Sequence, residues 1–257
     1  MIRSKLGLLG FCTVVFSAMA MFASAAQGAL SWLILNAPKT VATELKAALV
    51  TELDSQHITL DGEVAGLKVA ITCADIDLKG AYLELGGKLT EGFKFDLLEC
   101  EVYKTAPLTE KYKCTVKSAG AATGLIESGE LKGELVLHTF AIHEPGHVEL
   151  KEVLLKIEPK TGPTGNFKTL RFEGSECPLP EVNQLRGTLF LQDCEKSMTK
   201  HQLRHLLVPG PLTALYIGGH SAKQLEVTKM LGSFWVKLGN DGAGINHTGL
   251  DWAAMDA

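Results

Sequence analysis

Residues 67–78 read LKVAITCADIDL, and the period of this run decides the fold. Val69, Ile71 and Cys73 recur at every second position, which places them on one face of a strand. The same alternation runs through AYLELGG (81–87), FKFDLLEC (93–100), ELVLHTFAI (134–142), TLRFEG (169–174), GTLFLQDC (187–194), TALYIGG (213–219) and SFWVKLG (233–239). Each run has strand length, is rich in β-branched or aromatic residues, and is punctuated by Gly, Pro or Asn. The pattern predicts an all-β protein, an antiparallel β-sandwich or barrel with one or two short helices. The helical candidates are residues 41–53, where Leu45, Leu49 and Leu53 are four apart, and residues 147–158. In the second, Leu150, Val153, Leu154 and Ile157 follow helical spacing, but the segment also reads as a strand with a bulge near Glu152.

The start of the chain has a different character. Residues 1–28 combine a basic head (Arg3, Lys5), an apolar run over 6–22 and small-residue cleavage signals at Ala23-Ser24-Ala25 and Gln27-Gly28-Ala29. This is the pattern of a secretory signal peptide. A membrane anchor is the alternative, and the run sits at the short end of what a spanning helix uses. Cleavage removes Cys12 and leaves no spanning segment, so the product is expected to be secreted and extracellular. The remainder, 29–257, is read as a secreted β domain with a candidate subdivision at EPKTGPTGN, 158–166. Faint internal echoes cross that point: LKGEL at Leu131 against LRGTL at Leu185, and LLECE at Leu97 against LQDCE at Leu191. Acidic residues outnumber basic ones 29 to 25 over the whole chain, and the excess grows once Arg3 and Lys5 are removed. That balance argues against a nucleic-acid partner and against electrostatic docking on anionic lipid.

The mature chain keeps Cys73, Cys100, Cys114, Cys177 and Cys194. In an oxidising compartment most of them pair, and no C-x-x-C suggests a zinc ribbon or redox motif. Cys100 and Cys114 flank EVYKTAPLTEKYK, a loop of hairpin character whose closure stabilises by roughly 3 kcal/mol, so a Cys100–Cys114 bridge is expected. For the remainder, Cys73–Cys177 is favoured over Cys177–Cys194, leaving one thiol unpaired.

Several of these features occur together: Trp32-Leu33 after the cleavage site, ITC at Cys73, Cys100, KC at Cys114 followed by SAGAATG, LKGEL, KIEPKTG, and a tail from GSFWVKLG to HTGLDW at Trp252. In this the chain resembles uncharacterised secreted all-β proteins of soil actinobacteria, over most of its mature length. The resemblance implies a secreted β protein and no known activity. The chain departs from that pattern at HTFAIHEPGH (138–147) and at Cys194.

The segment His143-Glu144-Pro145-Gly146-His147 spells H-E-x-x-H, a zinc and base signature when it lies on a helix. Zinc hydrolysis needs both histidines on one helical face with the glutamate activating a water. Pro145 inside that turn costs ~3 kcal/mol or more in a helix interior, whereas Glu-Pro-Gly-His suits a type II turn. Leu150 and Val153 stand where a longer motif would have Gly and His. The segment is therefore read as a turn between two strands. A weaker metal reading groups His138, His143 and His147 at one hairpin end, and His201 and His205 on one strand face. No nucleophile motif appears, and no pair among the many carboxylates stands out. Trp32, Trp235 and Trp252 lie in apolar contexts, which suits core packing more than a carbohydrate platform. GNDGAGINHTG (239–249) reads as a loop, and Asn246 heads a glycosylation sequon.

The reading is a non-catalytic extracellular β protein, structural or binding, with no cofactor. Its partner is unidentified, and a cell-surface or glycan contact is the class retained. The alternative is a secreted metal-binding protein or zinc hydrolase that uses the His143–His147 segment.

Overall fold

A computed structural model describes residues 30–35, 42–43, 47–53, 57–104, 109–140, 150–196, 199–207, 215–218, 225–240 and 243–256. The described residues form strands, turns and loops without a helix. All strand pairing is antiparallel, in three sheets, and the large sheets curl into half-barrels.

The first large sheet holds β4 (Ile58–Val64), β5 (Leu67–Cys73), β9 (Glu101–Tyr103), β10 (Lys111–Ser118), β14 (Asn166–Glu173), β15 (Val182–Gly187), β18 (Leu215–Gly218), β19 (Leu225–Val227) and β20 (Lys229–Leu231), in the order β19-β18-β15-β14-β10-β9-β5-β4-β20. Its two edge strands are consecutive in the chain, separated by the fully buried Thr228. The single run 225–231 thus pairs with β18 in its first half and with β4 in its second, which draws the two edges of the curl together.

The second holds β3 (Leu49–Leu53), β6 (Asp75–Lys79), β7 (Leu83–Glu84), β8 (Lys88–Leu98), β11 (Ile126–Glu127), β12 (Leu131–Phe140), β13 (Leu150–Pro159), β16 (Leu189–Lys196), β17 (Lys200–His205) and β21 (Ser233–Leu238). Its order is β11-β8-β12-β13-β16-β17-β21-β3, with β6 and β7 also on β8. Here too the ends approach: Leu49 donates to the Ala81 carbonyl at 2.8 Å, and Leu83 donates to Ala47 at 2.9 Å. The third sheet, β2-β1-β22, joins β1 (Leu30–Leu35) to β2 (Ala42–Thr43) and β22 (Trp252–Asp256).

The chain changes sheet at bends in long strands, as in orthogonal β packing. The opening stretch shows this directly. LKVAITC is β5 in the nine-stranded sheet, Ala74 is the bend, and DIDLK continues as β6 in the ten-stranded sheet. The strand pairs β8/β9, β15/β16 and β20/β21 cross in the same way. Their bends use left-handed backbone at Glu99 (φ 51°), Gly187 (φ 106°) and Gly232 (φ 97°). Alternation predicted one buried face for residues 67–78, yet β5 is buried on both faces from Val69 to Cys73. Only beyond the bend do Ile76 and Leu78 go in while Asp77 stays half-exposed. One apolar core joins both large sheets and the third sheet.

Several sequence expectations change. Both helical candidates are strand where described. Leu49–Leu53 pairs with β21. Leu150–Pro159 pairs with β12 in unbroken register from Phe140↔Leu150 to Leu131↔Pro159, with no bulge at Glu152. The helical spacing there arises because β13 buries both faces: Leu155 and Ile157 enter the main core, whereas Leu154 packs in a second cluster with Phe190. The segment 158–166 is where the chain crosses from β13 to β14, between sheets. The echoes fall on dissimilar places. LKGEL lies within β12 and LRGTL straddles the β15/β16 bend, while LLECE straddles the β8/β9 bend and LQDCE lies inside β16.

The disulfides are Cys73–Cys100 and Cys114–Cys177. The same four cysteines were expected to bridge, but not in these pairs, and strand register is the reason. Thr115 opposes Glu101, so Cys114 is diagonal to Cys100 and two residues off the direct position. Diagonal neighbours are about 7–8 Å apart, beyond the usual Cα separation for a bridge. Thr72 opposes Glu101 on the other side, which sets Cys73 directly across from Cys100, Cα to Cα 4.0 Å. Cys177 reaches Cys114 through a turn in which its N–H donates to the Gly174 carbonyl at 3.1 Å. Cys194 takes part in neither bridge.

Peptide mapping without reduction is expected to recover Cys73 linked to Cys100 and Cys114 linked to Cys177, with a thiol at Cys194. A Cys100–Cys114 peptide would contradict the register. The bridges span 27 and 63 residues. In a chain-entropy model, removing the shorter costs about 3.5 kcal/mol and the longer about 4 kcal/mol, measurable by denaturant unfolding of the double Cys→Ala variants.

Candidate functional site

The third sheet lies over the concave face of the ten-stranded one, and the contact is made by aromatic side chains. Trp32 on β1 and Trp252 on β22 are buried with ring centroids 5.8 Å apart. Pairing Ile34 with Trp252 and Trp32 with Ala254 places both indoles on the inward face. Each indole N–H finds a carbonyl, Trp32 to Lys88 at 3.0 Å and Trp252 to Thr199 at 3.3 Å. This satisfies the one polar atom that burying a tryptophan entails. Below them is a cavity of ≈ 40 Å³, lined mainly by apolar groups such as Leu135, Leu155, Leu191, Leu203 and Val236. That is room for no more than a few waters.

The polar residues of the lining are Asp193 and His201. His201 Nε2 lies 2.8 Å from the Trp252 carbonyl oxygen and Nδ1 lies 2.6 Å from Asp193 Oδ2. A carbonyl only accepts, so Nε2 carries its hydrogen and donates to it. The ring also meets the Trp252 indole edge-on at 4.3 Å. With both nitrogens engaged, the imidazole ties β22 to β17 and presents no vacant nitrogen to the cavity.

His205, four residues on, shares that face of β17. Its Nδ1 accepts the Met230 N–H at 2.9 Å, which ties β17 to β20. The sequence placed these two histidines on one strand face, as they are, and the structure gives each a separate partner. The residue missed was Asp193, which carries no motif and is recognised only by its distance to His201.

The opposite face of the same strands holds a second polar group. His138 opposes Glu152, and Gln192 Nε2 donates to both Glu152 oxygens at 2.9 and 2.8 Å. Burial holds the Glu152 carboxyl above the usual range. Cys194 Sγ lies 3.7 Å from the Gln192 carbonyl oxygen, at a β-bulge between Asp193 and Glu195. His138 on β12 and Cys194 on β16 are separated by β13, which pairs with both strands. His143 and His147 lie outside the described residues, and so does the predicted turn. The strands flanking them pair with each other, ending at Phe140↔Leu150. Among the described residues no group of three His, Cys, Asp or Glu is placed to hold a metal ion.

Of the carboxylates, Asp96 stands out: it is 1% exposed and opposes both Asp77 and Glu127. It accepts from Lys79, whose ammonium is raised above its ordinary value chiefly by that bond. Trp235, expected in the core, is half-buried on the outer face of β21 beneath the Lys200 ammonium, 4.2 Å from its ring.

No family model, curated protein or solved structure matches this chain.

Trp252→Ala is expected to cost about 3–5 kcal/mol in urea unfolding, while Trp235→Ala costs well under half as much. Gly87→Ala would set a Cβ 2.7 Å from the Leu30 carbonyl oxygen at φ +69°. It should loosen β1 and broaden the Trp32 signals before the core unfolds. Because Glu152 is raised, its ionised form is disfavoured in the folded state, and that stability is lost as pH rises through its folded value. Glu152→Gln should therefore raise Tm at pH 7 relative to wild type, with the gain gone at pH 4.

Proposed function

We propose that this chain is a secreted extracellular β protein with a structural or binding role and no catalytic one. The observation that carries the reading is the state of His201: the cavity beneath the third sheet is mainly apolar, and the one imidazole lining it has one nitrogen on the Trp252 carbonyl of β22 and the other on Asp193 of β16. Such a cavity does packing work, where a catalytic one would aim a base at open space. The two disulfides are consistent with an oxidising extracellular environment. Residues 1–28 supply the export signal in this reading. An acidic, disulfide-bridged β surface suits a cell-surface or glycan partner better than nucleic acid.

The test is expression of the full chain in a secreting host. Exported protein should begin between Ala26 and Leu30, and sequencing that begins at Met1 would reject secretion. The purified product should show no peptidase turnover with or without added zinc. Zinc-dependent cleavage abolished by Glu144→Gln would reject the non-catalytic reading in favour of a hydrolase built on His143 and His147. Retention on a glycan array would favour binding over a purely structural role.

A further inference from the structure

The run 225–231 pairs with β18 at one end and with β4 at the other, so the curl of the nine-stranded sheet meets on one short piece of chain. Within it, the Met230 N–H is turned toward β17 and is received by His205 Nδ1 at 2.9 Å. This bond crosses from the nine-stranded to the ten-stranded sheet. A backbone N–H can only donate, so Nδ1 must be the bare nitrogen and the imidazole neutral, with its proton on Nε2. A proton added to the ring goes to Nδ1, the one lone pair left, and it removes the acceptor that Met230 uses.

The described residues around the ring are mostly apolar. Leu191 stands opposite His205 on β16. Met230 faces it from β20, flanked by exposed Lys229 and Leu231. Behind β20, Leu60 backs Met230 and Asp61 backs Lys229. On β17 itself, Arg204 is exposed and belongs to the alternate face, and His201 is occupied by Asp193 and Trp252. On β21, Phe234 and Ser233 oppose Leu203 and Arg204. Burial pushes the His205 imidazole down, to about 4 from 6.5, and among the described residues no carboxylate offsets it.

We propose that His205 makes the seam between the two large sheets acid-labile: protonation of its Nδ1 breaks the Met230 N–H bond and releases the run 225–231 from β17. The sign follows from the depressed value. Above the unfolded value near 6.5, both states hold a neutral ring and the contribution is complete. As pH falls below it, the unfolded chain takes up a proton that the folded chain refuses, and stability declines until the folded ring titrates near 4.

The experiment compares the full secreted chain with His205→Asn, whose Oδ1 can replace Nδ1 as acceptor but does not titrate. Unfolding equilibria are measured from pH 7 to pH 4, and the difference between the two proteins is read so that carboxylates common to both cancel. Wild type should lose roughly 100-fold more in its folding equilibrium than the variant across that window. Parallel curves overturn the proposal. A second measurement, needed if the variant fails to fold, follows wild type by NMR: the His205 ring should hold the Nε2–H tautomer down to about pH 4.5, and Met230 amide protection should fall as the ring protonates. Titration near the ordinary histidine value, or Met230 protection unchanged by protonation, also overturns it.

Discussion

The two large sheets are not independent layers laid together, because four long strand pairs begin in one and finish in the other. Every such crossing bends the backbone, at Ala74, Glu99, Gly187 and Gly232. The bends at Ala74 and Glu99 run side by side, and Ala74 donates to the Leu98 carbonyl between them at 3.0 Å. The Cys73–Cys100 bridge sits on that same corner. A cross-link there restrains two bends at once, and with them the relative placement of both sheets. The left-handed backbone at Glu99, in a residue other than glycine, is tolerated because this corner is held by the bridge, by its neighbours, and by the Cys100 N–H to Gly124 carbonyl bond at 2.7 Å.

What remains to be closed is closed by a few polar contacts at strand β17. Its inward histidines reach in two directions, His201 to the strand at the C-terminal end and His205 to the strand where the nine-stranded curl meets. Partly buried imidazoles suit this task, since one ring can satisfy backbone and side-chain groups while adding apolar surface. The same choice makes the His205 seam depend on where the ring's proton resides. The apolar core supplies most of the stability, and the histidines add single polar ties between strands that core packing has brought together.

Along β16, ordinary alternation sends Asp193 inward to His201 and Gln192 outward to Glu152. The bulge follows between Asp193 and Glu195 and shifts the pairing of β16 with β17 beyond that point.

The sequence by itself determined the secondary structure class, because a two-residue period is written into each strand and needs no partner to be read. It also identified the cysteines that bridge and the single face shared by His201 and His205. It mistook β13 for a candidate helix, since a strand buried on both faces shows no clean alternation. It mispaired the cysteines, since proximity along the chain says nothing of register, and a shift of two residues moves a thiol out of reach. Only the tertiary structure decided that LKVAITCADIDL belongs to two sheets, that Asp193 serves His201, and that Trp235 lies outside the core. Each of those depends on which strands become neighbours, a choice made by the packing of side chains far apart in the chain and carried by no local pattern of residues.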